Sequence, residues 1–221
     1  MASKDTPAKP IALEERGQDG DARQRSPSAA RNREPILAVL ARVLPQGAKV
    51  LEIGSGTGEH AIHFAKARPD LEWRPSELDP ASRASIVAWT AAEALRNVAA
   101  PVVIDAGAAR WGVEAEAPFD AVVSINMIHI APWDAGLGLL AGAGRLLKPG
   151  GVLFLYGPFM RGGAHTAPSN EAFDQSLKAR DPRWGVRDLD DVARAGARHG
   201  LALEEVVDMP ANNLSAVLRR G

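Results

Sequence analysis

From Lys49 onward the apolar positions follow two periods that take turns along the chain. Strand-length apolar runs occur at 49–53, 71–76, 101–104, 119–125 and 151–156, and helix-spaced patterns at 59–68, 81–96 and 134–146 lie between them. Alternation of this kind predicts a parallel sheet with helices on both faces. Val122-Val123-Ser124-Ile125 and Val152-Leu153-Phe154-Leu155 are nearly continuous apolar runs, as strands covered on both sides require. Leu147-Lys148-Pro149-Gly150-Gly151 stops a helix before the next strand. Two last runs, 201–207 and 213–219, are joined by Asp208-Met209-Pro210-Ala211-Asn212, too short for a helical crossover, so they should form an antiparallel hairpin at the sheet edge. The expected fold is α/β, a three-layer sandwich around a seven-stranded, mostly parallel sheet.

Two segments depart from this rhythm. Residues 1–25 are rich in charged residues, Pro and Gly and carry almost no apolar pattern, which predicts a mobile tail ahead of a single domain over 26–221. Ser26-Pro27 reads as a helix start, and Pro35 should split 27–43 into two helical pieces. The stretch 157–187 holds several helix breakers around a short helical run from Ser169 to Lys178. It leaves the carboxyl end of a central strand, where open α/β sheets bind ligands, so it is the expected substrate cover.

The 221 residues suffice for one domain, and an apolar share of 46% supports a real core. A net charge of -1 supplies no basic field for nucleic acid. The absence of cysteine removes disulfides, thiolate catalysis and zinc–thiolate sites. No apolar run reaches membrane-spanning length and the start lacks the apolar core of a signal peptide, so the expected location is cytoplasmic, with no membrane partner.

The chemistry begins at Val50-Leu51-Glu52-Ile53-Gly54-Ser55-Gly56-Thr57-Gly58-Glu59-His60. A strand, a Gly-rich turn and a helix start let backbone approach a nucleotide-like ligand. Glu59 stands where a dinucleotide fingerprint carries its third glycine, setting negative charge where a phosphate would lie. The turn suits an adenosine without phosphates. Glu77 ends the second strand, as expected for a carboxylate that accepts from ribose hydroxyls, while Asp79 before Pro80 reads as a helix N-cap. Asp105, followed by the small Ala106-Gly107-Ala108, can accept from an adenine amine or serve only its own turn.

With acids ending three adjacent strands, the sequence resembles the class I S-adenosylmethionine-dependent methyltransferases, with their Rossmann-like fold and final antiparallel hairpin. The resemblance runs from about residue 31 to the C-terminus and rests on Glu52-x-Gly54-x-Gly56-x-Gly58 and the Leu147–Gly151 turn. More narrowly it is similar to an uncharacterised branch called methyltransferase-like twenty-six. That likeness lies in Ser26-Pro27-x-x-Ala30-Arg31-Asn32-x-Glu34-Pro35-Ile36, in Asn126-Met127-Ile128-His129-Ile130-Ala131-Pro132-Trp133, and in Tyr156-Gly157-Pro158-Phe159. It continues in Asp181-Pro182-x-Trp184-Gly185-Val186-Arg187-Asp188 and Met209-Pro210-Ala211-Asn212-Asn213. The branch carries Asp where this chain has Glu77. The resemblance implies S-adenosylmethionine as cofactor and S-adenosylhomocysteine as product. Gly54, Ser55, Gly56 and Gly58 would pass under the methionine part, with Glu52 near its ammonium. Glu77 would take the ribose, Leu78 the adenine face, Asp105 and Ala106 the adenine edge. Asn126 and Met127 would lie beside the sulfonium, and Arg31 and Asn32 would fold over the cofactor.

Methyl transfer needs alignment above all, worth up to about 7–11 kcal/mol in ideal intramolecular cases, and a base only if the acceptor must lose a proton. The candidate catalytic side chains are His129 after the fourth strand, Tyr156 at the end of the fifth, and His165 in the cover. His129 has an equal alternative as a loop-shaping histidine. His60 and His63 lack a carboxylate–histidine spacing, so no metal is expected. Trp133 and Trp184 flank the mouth, Trp73 and Trp89 suit the core, and Trp111 is a candidate cover for adenine. The leading expectation is a methyltransferase of a small-molecule acceptor, acting as a monomer or weak homodimer. The alternatives are a protein or RNA methyltransferase, a non-catalytic cofactor-binding module, and an NAD-dependent dehydrogenase, which Glu59 disfavours.

Overall fold

The structure, a computed structural model, describes residues 17–18 and 21–221. Six strands form the central sheet: β1 Lys49–Ile53, β2 Glu72–Ser76, β3 Phe119–Ile125, β4 Leu147–Gly157, β5 Leu201–Met209 and β6 Asn213–Arg220. Their order is β2-β1-β3-β4-β6-β5. β1 to β4 are parallel, and β6 runs antiparallel to both β4 and β5, which gives the terminal hairpin its place at the edge.

Among the described residues six α-helices accompany the sheet: α1 Pro27–Val43, α2 Glu59–Ala67, α3 Pro80–Ala92, α4 Trp133–Leu146, α5 Pro168–Arg180 and α6 Leu189–Ala197. Because side chains alternate across a strand, each buried strand feeds two cores. Val50, Trp73, Val123 and Phe154 pack against Ile36, Leu40 and Phe64 of α1 and α2. Leu51, Ile53, Val122 and Leu153 pack against Leu139 and Leu140 of α4 and Val192 of α6. Each such fully buried aliphatic or aromatic side chain contributes about 1.5–3 kcal/mol.

The expected seventh strand is not a strand. Residues 98–102 meet β2 only in the isolated bridges Trp73↔Val98 and Ser76↔Val102. The spacing of three on one side and four on the other is a bulge, and two prolines explain it. Trp73 N–H donates to Asn97 O and Ala99 N–H to Trp73 O, each at 2.8 Å. Continued in register, the next pair of bonds would need N–H groups from Pro75 and Pro101, which have none. The ladder skips a residue and resumes with Val102 N–H to Pro75 O at 3.1 Å and Glu77 N–H to Val102 O at 3.0 Å.

α1 also differs from expectation, since it runs unbroken through Pro35. An interior proline costs a helix about 3 kcal/mol, but both halves are anchored. Ala29 is buried ahead of Pro35, and Ile36, Val39 and Leu40 are buried after it. α6 has no counterpart among the predicted helices, although Asp188 caps it by accepting from Asp190 N–H, and Leu189, Val192 and Ala195 give it an apolar stripe.

Most of the segment expected to be a mobile tail lies outside the described residues, but its end is packed. Gln24–Arg25 pairs antiparallel with Gly17–Gln18, Gln24 N–H donates to Ser85 Oγ, and Trp89 Nε1–H donates to Gln24 O. The packed part of the domain therefore begins ahead of Ser26. Among the described residues no helix is long and apolar enough to cross a membrane.

Candidate functional site

The carboxyl ends of β1, β2 and β3 converge on the glycine turn. Gly54, Gly56 and Gly58 have φ of 73°, 56° and 87°, the left-handed region that a side chain makes costly. A Cβ on Gly54 would fall 2.9 Å from Met127 Cγ, so Met127, just past β3, closes over the turn. A Cβ on Gly58 would fall 2.7 Å from Ile86 Cγ1, so Gly58 lets α3 pack tightly beneath. Ser55 N–H donates to Ser76 O at 2.8 Å and Ser76 Oγ donates to Glu52 O at 2.6 Å, tying β1 to β2 where the turn begins.

The two acids beside the turn have different surroundings. Glu77 is half-buried, and its carboxylate accepts from Gly56 N–H at 2.8 Å, Leu78 N–H at 2.8 Å and Asp79 N–H at 3.2 Å. Its extra methylene relative to Asp suits this reach back to the turn. Glu52 is 1% exposed and points to the α1–α2 face, where Trp73 Nε1–H donates to it at 3.1 Å. Burial pushes its carboxyl up to about 7, against the hydrogen bonds from Ser55 and Trp73 and with repulsion from Glu77 adding to the rise. The acid of the first motif is therefore below the turn, in the core.

Glu59 corrects the reading of its charge. Its carboxylate accepts from Ser26 N–H and Thr57 Oγ1, so it caps the start of α1 instead of standing over the turn. Asp79 caps α3 as expected, accepting from Ser82 N–H. Asp105 is exposed and accepts from Gly107 N–H at 2.9 Å, while Ala106 beside it is buried. Leu78 and Val103 are exposed large apolar residues on the chain ends next to Glu77 and Asp105. Trp111 is 3% exposed and lies against α4, where a Cβ on Gly142 would overlap its ring. It belongs to the core and does not cover an adenine.

α1 is tied to the sheet by a polar chain. Tyr156 at the end of β4 is buried, and Asn32 lies within hydrogen-bonding reach of its hydroxyl. Asn32 Oδ1 in turn meets His60 Nε2 at 2.7 Å. Burial pushes the Tyr156 phenol up, and burial together with His63 and Arg33 pushes His60 down to about 3. Arg31, one residue away, is exposed and its charge acts on Tyr156. Among the described residues no group of three or more His, Asp or Glu side chains is placed to hold a metal ion.

Past β3, Asn126 takes φ 62° with its N–H on Tyr156 O, and Met127–His129 forms a short turn. His129 is fully buried, edge-on to Phe159 at 4.7 Å. Its Nδ1 accepts from Arg187 N–H at 3.3 Å, which leaves the proton on Nε2. Nε2 has no partner among the described residues and faces Gly157, where a Cβ would fall 2.3 Å away. Burial and the Arg187 charge push His129 down to about 3, so the ring is neutral at pH 7.

The segment after β4 folds as a small unit. Met160–Arg161 pairs with Ala164–His165, α5 follows, and the loop after it returns to meet Met160 in an isolated parallel bridge at Asp188. His165 Nε2 lies 3.6 Å from the buried Asp174 of α5, which also holds Lys178 Nζ at 2.6 Å and Val186 N–H at 2.8 Å. Arg187 spans from this unit to the β3 loop. Nε–H donates to Ile128 O at 3.1 Å, Nη2–H to Ala131 O at 2.7 Å and Arg183 O at 2.9 Å, and the guanidinium lies 5.6 Å from the Trp133 ring centre. Asp174 and Arg187 escaped the sequence reading as site residues. Arg187 stands in a quoted string, but its partners are backbone carbonyls that no side-chain pattern reveals. Two surface cavities of about 330 and 260 Å³ lie at the opposite, amino ends of the strands, lined by residues such as Arg42, Lys148, Lys49 and Arg74.

Residues 23–220 match the family described as "Protein of unknown function (DUF938)". The chain belongs to that family. Among solved structures, this DUF938 protein is similar to the mitomycin 7-O-methyltransferase MmcR, with a TM-score of 0.74, 16% identity, and 89% of this chain and 55% of that one covered. An O-methyltransferase family protein from Burkholderia thailandensis gives 0.73 at 17% identity, covering 85% and 56%. CalO1, a methyltransferase in calicheamicin biosynthesis solved with S-adenosylhomocysteine bound, gives 0.66 at 18%, covering 88% and 54%. These likenesses show a fold held in common with methyltransferases. The DUF938 chain spans little more than half the length of each of these structures.

Proposed function

We propose that this DUF938 protein is an S-adenosylmethionine-dependent methyltransferase of the methyltransferase-like twenty-six branch, acting on a small molecule. The observation that carries the reading is the glycine turn: three left-handed glycines, closed above by Met127 and joined to a ribose-ready carboxylate by the Gly56 N–H···Glu77 bond. Gly54, Ser55, Gly56 and Gly58 would hold the methionine part, with Arg31 and Asn32 of α1 above. Glu77 would bind the ribose, Leu78 and Val103 the adenine faces, and Asp105 with Ala106 its edge. Asn126 and Met127 would border the methyl group. Glu52 acts from below the turn, through Ser55 and Trp73, without direct contact.

The cofactor supplies an already activated methyl. The chain's own task is to align the acceptor and exclude water. His129, protonated on Nε2 and with Nδ1 occupied, is a donor in this geometry and not a base. Tyr156 is buried, which pushes its phenol up and keeps its proton in place. His165, oriented by Asp174, is the side chain left to take an acceptor proton. The segment 157–187 serves as the substrate cover, and a cytoplasmic monomer or weak homodimer is the proposed state. Near-neutral charge argues against an RNA acceptor.

The test is calorimetry with S-adenosylmethionine and S-adenosylhomocysteine on the wild type and on Gly56→Arg. Binding by the first and its loss in the second are expected. No binding by the wild type, or equal binding by the variant, refutes the reading.

A further inference from the structure

Among the described residues, Arg187 is a half-buried cation without a directly paired counter-ion. No carboxylate among the described residues lies within ion-pair distance of it, and the one acid whose charge reaches it, Asp174, is already bonded to Lys178. Its direct partners among the described residues are the carbonyls of Ile128, Ala131 and Arg183 and the face of Trp133. These contacts use Nε and Nη2. Nη1 has no hydrogen-bond partner among the described residues, and it is not one of the enclosed polar atoms.

Such an arrangement fixes the guanidinium in advance and leaves the N–H groups of Nη1 free. A charge-assisted bond from such an N–H to a carboxylate or phosphate oxygen is about twice as strong as a neutral one. Holding a long side chain before the ligand arrives also removes part of the ordering cost of binding. The position suits an acceptor: Arg187 is clamped to the loop that begins with Asn126 and Met127, and its backbone fixes the proton on His129. The indole of Trp133 gives that place an apolar wall.

We propose that Arg187 is the anion anchor of the acceptor site, so that the molecule methylated carries an oxyanion, a carboxylate or a phosphate. The anchor rests on the methyltransferase reading for the identity of the site, and the tests of the two are separable. Neither the glycine turn nor any cofactor contact involves Arg187.

The experiment titrates benzoate, phenyl phosphate and the neutral isostere benzamide into the protein by calorimetry, with and without saturating S-adenosylhomocysteine. At least one anion should bind ten-fold or more tightly than benzamide, and the better of the two identifies carboxylate or phosphate. The preference should vanish in Arg187→Gln, persist in weakened form in Arg187→Lys, and remain intact in Arg183→Gln, whose side chain is paired with Asp181. Equal or absent binding of all three probes by the wild type overturns the anchor, even if Arg187→Gln fails to fold. So does a preference that survives in Arg187→Gln or disappears in Arg183→Gln. Failure of S-adenosylhomocysteine to bind, with anion preference retained, refutes the methyltransferase reading and leaves the anchor standing.

Discussion

Replacing Glu52 by Gln should stabilise the protein in alkaline solution and do little in acid. The carboxylate is 1% exposed, receives a hydrogen bond from the Trp73 indole, and feels Glu77 as a further negative charge. Burial moves its pKa from the ordinary 4.5 to about 7. The folded state therefore holds the Glu52 proton more firmly than the unfolded chain does. Its stabilising effect is complete below 4.5 and is lost as pH rises through about 7. The gap between the two values corresponds to about 3 kcal/mol of stability lost once the pH is well above 7. At pH 5 the loss is under about 1 kcal/mol. Gln keeps an acceptor for the indole N–H and carries no charge, so the variant escapes this loss. Urea unfolding of both proteins at pH 5 and pH 8.5 measures it as a double difference, from which other titrating groups cancel. The variant should gain about 2–3 kcal/mol relative to wild type between the two conditions. A pH-independent difference, or a variant less stable than wild type at the higher pH, would show that Glu52 is ionised and solvated in the fold.

Two further outcomes follow from the same geometry. Gly58→Ala places a Cβ 2.7 Å from Ile86 Cγ1 at φ 87°, which should cost about 2–4 kcal/mol in thermal unfolding. Gly162→Ala, with φ 59° but nothing within 4 Å, should cost only about 1 kcal/mol; similar losses would refute the packing argument. His60, held neutral with its pKa near 3, binds its proton less firmly in the fold than when unfolded, so it destabilises as pH falls below 6.5. At pH 5 this amounts to about 2 kcal/mol, and His60→Gln should flatten the acid limb of the stability profile by that much, as denaturation at pH 5 and 7 would reveal.

What could be read from the sequence was whatever neighbouring residues decide. The glycine turn, the cap at Asp79 and the short link before β6 are local, and each formed as its residues demanded. The lost seventh strand is different in kind: Pro75 and Pro101 each suit a strand alone, and only their meeting across the register breaks the ladder. Pro35 misled because the burial on either side of it comes from α2 and the sheet. The tautomer of His129 is set by a backbone N–H that lies 58 residues away in sequence. Glu59 pointed to a missing phosphate, yet its carboxylate went to the start of α1, a choice made by where that helix docks.

The paired prolines have a consequence beyond register. A sheet that ends in an open row of donors and acceptors invites a foreign chain to zip onto it. Here one flank is bent by the bulge at 98–102, while the other, β5, has its own bulge between Leu203 and Glu205 and carries Glu204, Glu205 and Asp208. Neither border offers a flat, uninterrupted strand, so crowded copies of this molecule are ill suited to growing into ribbons.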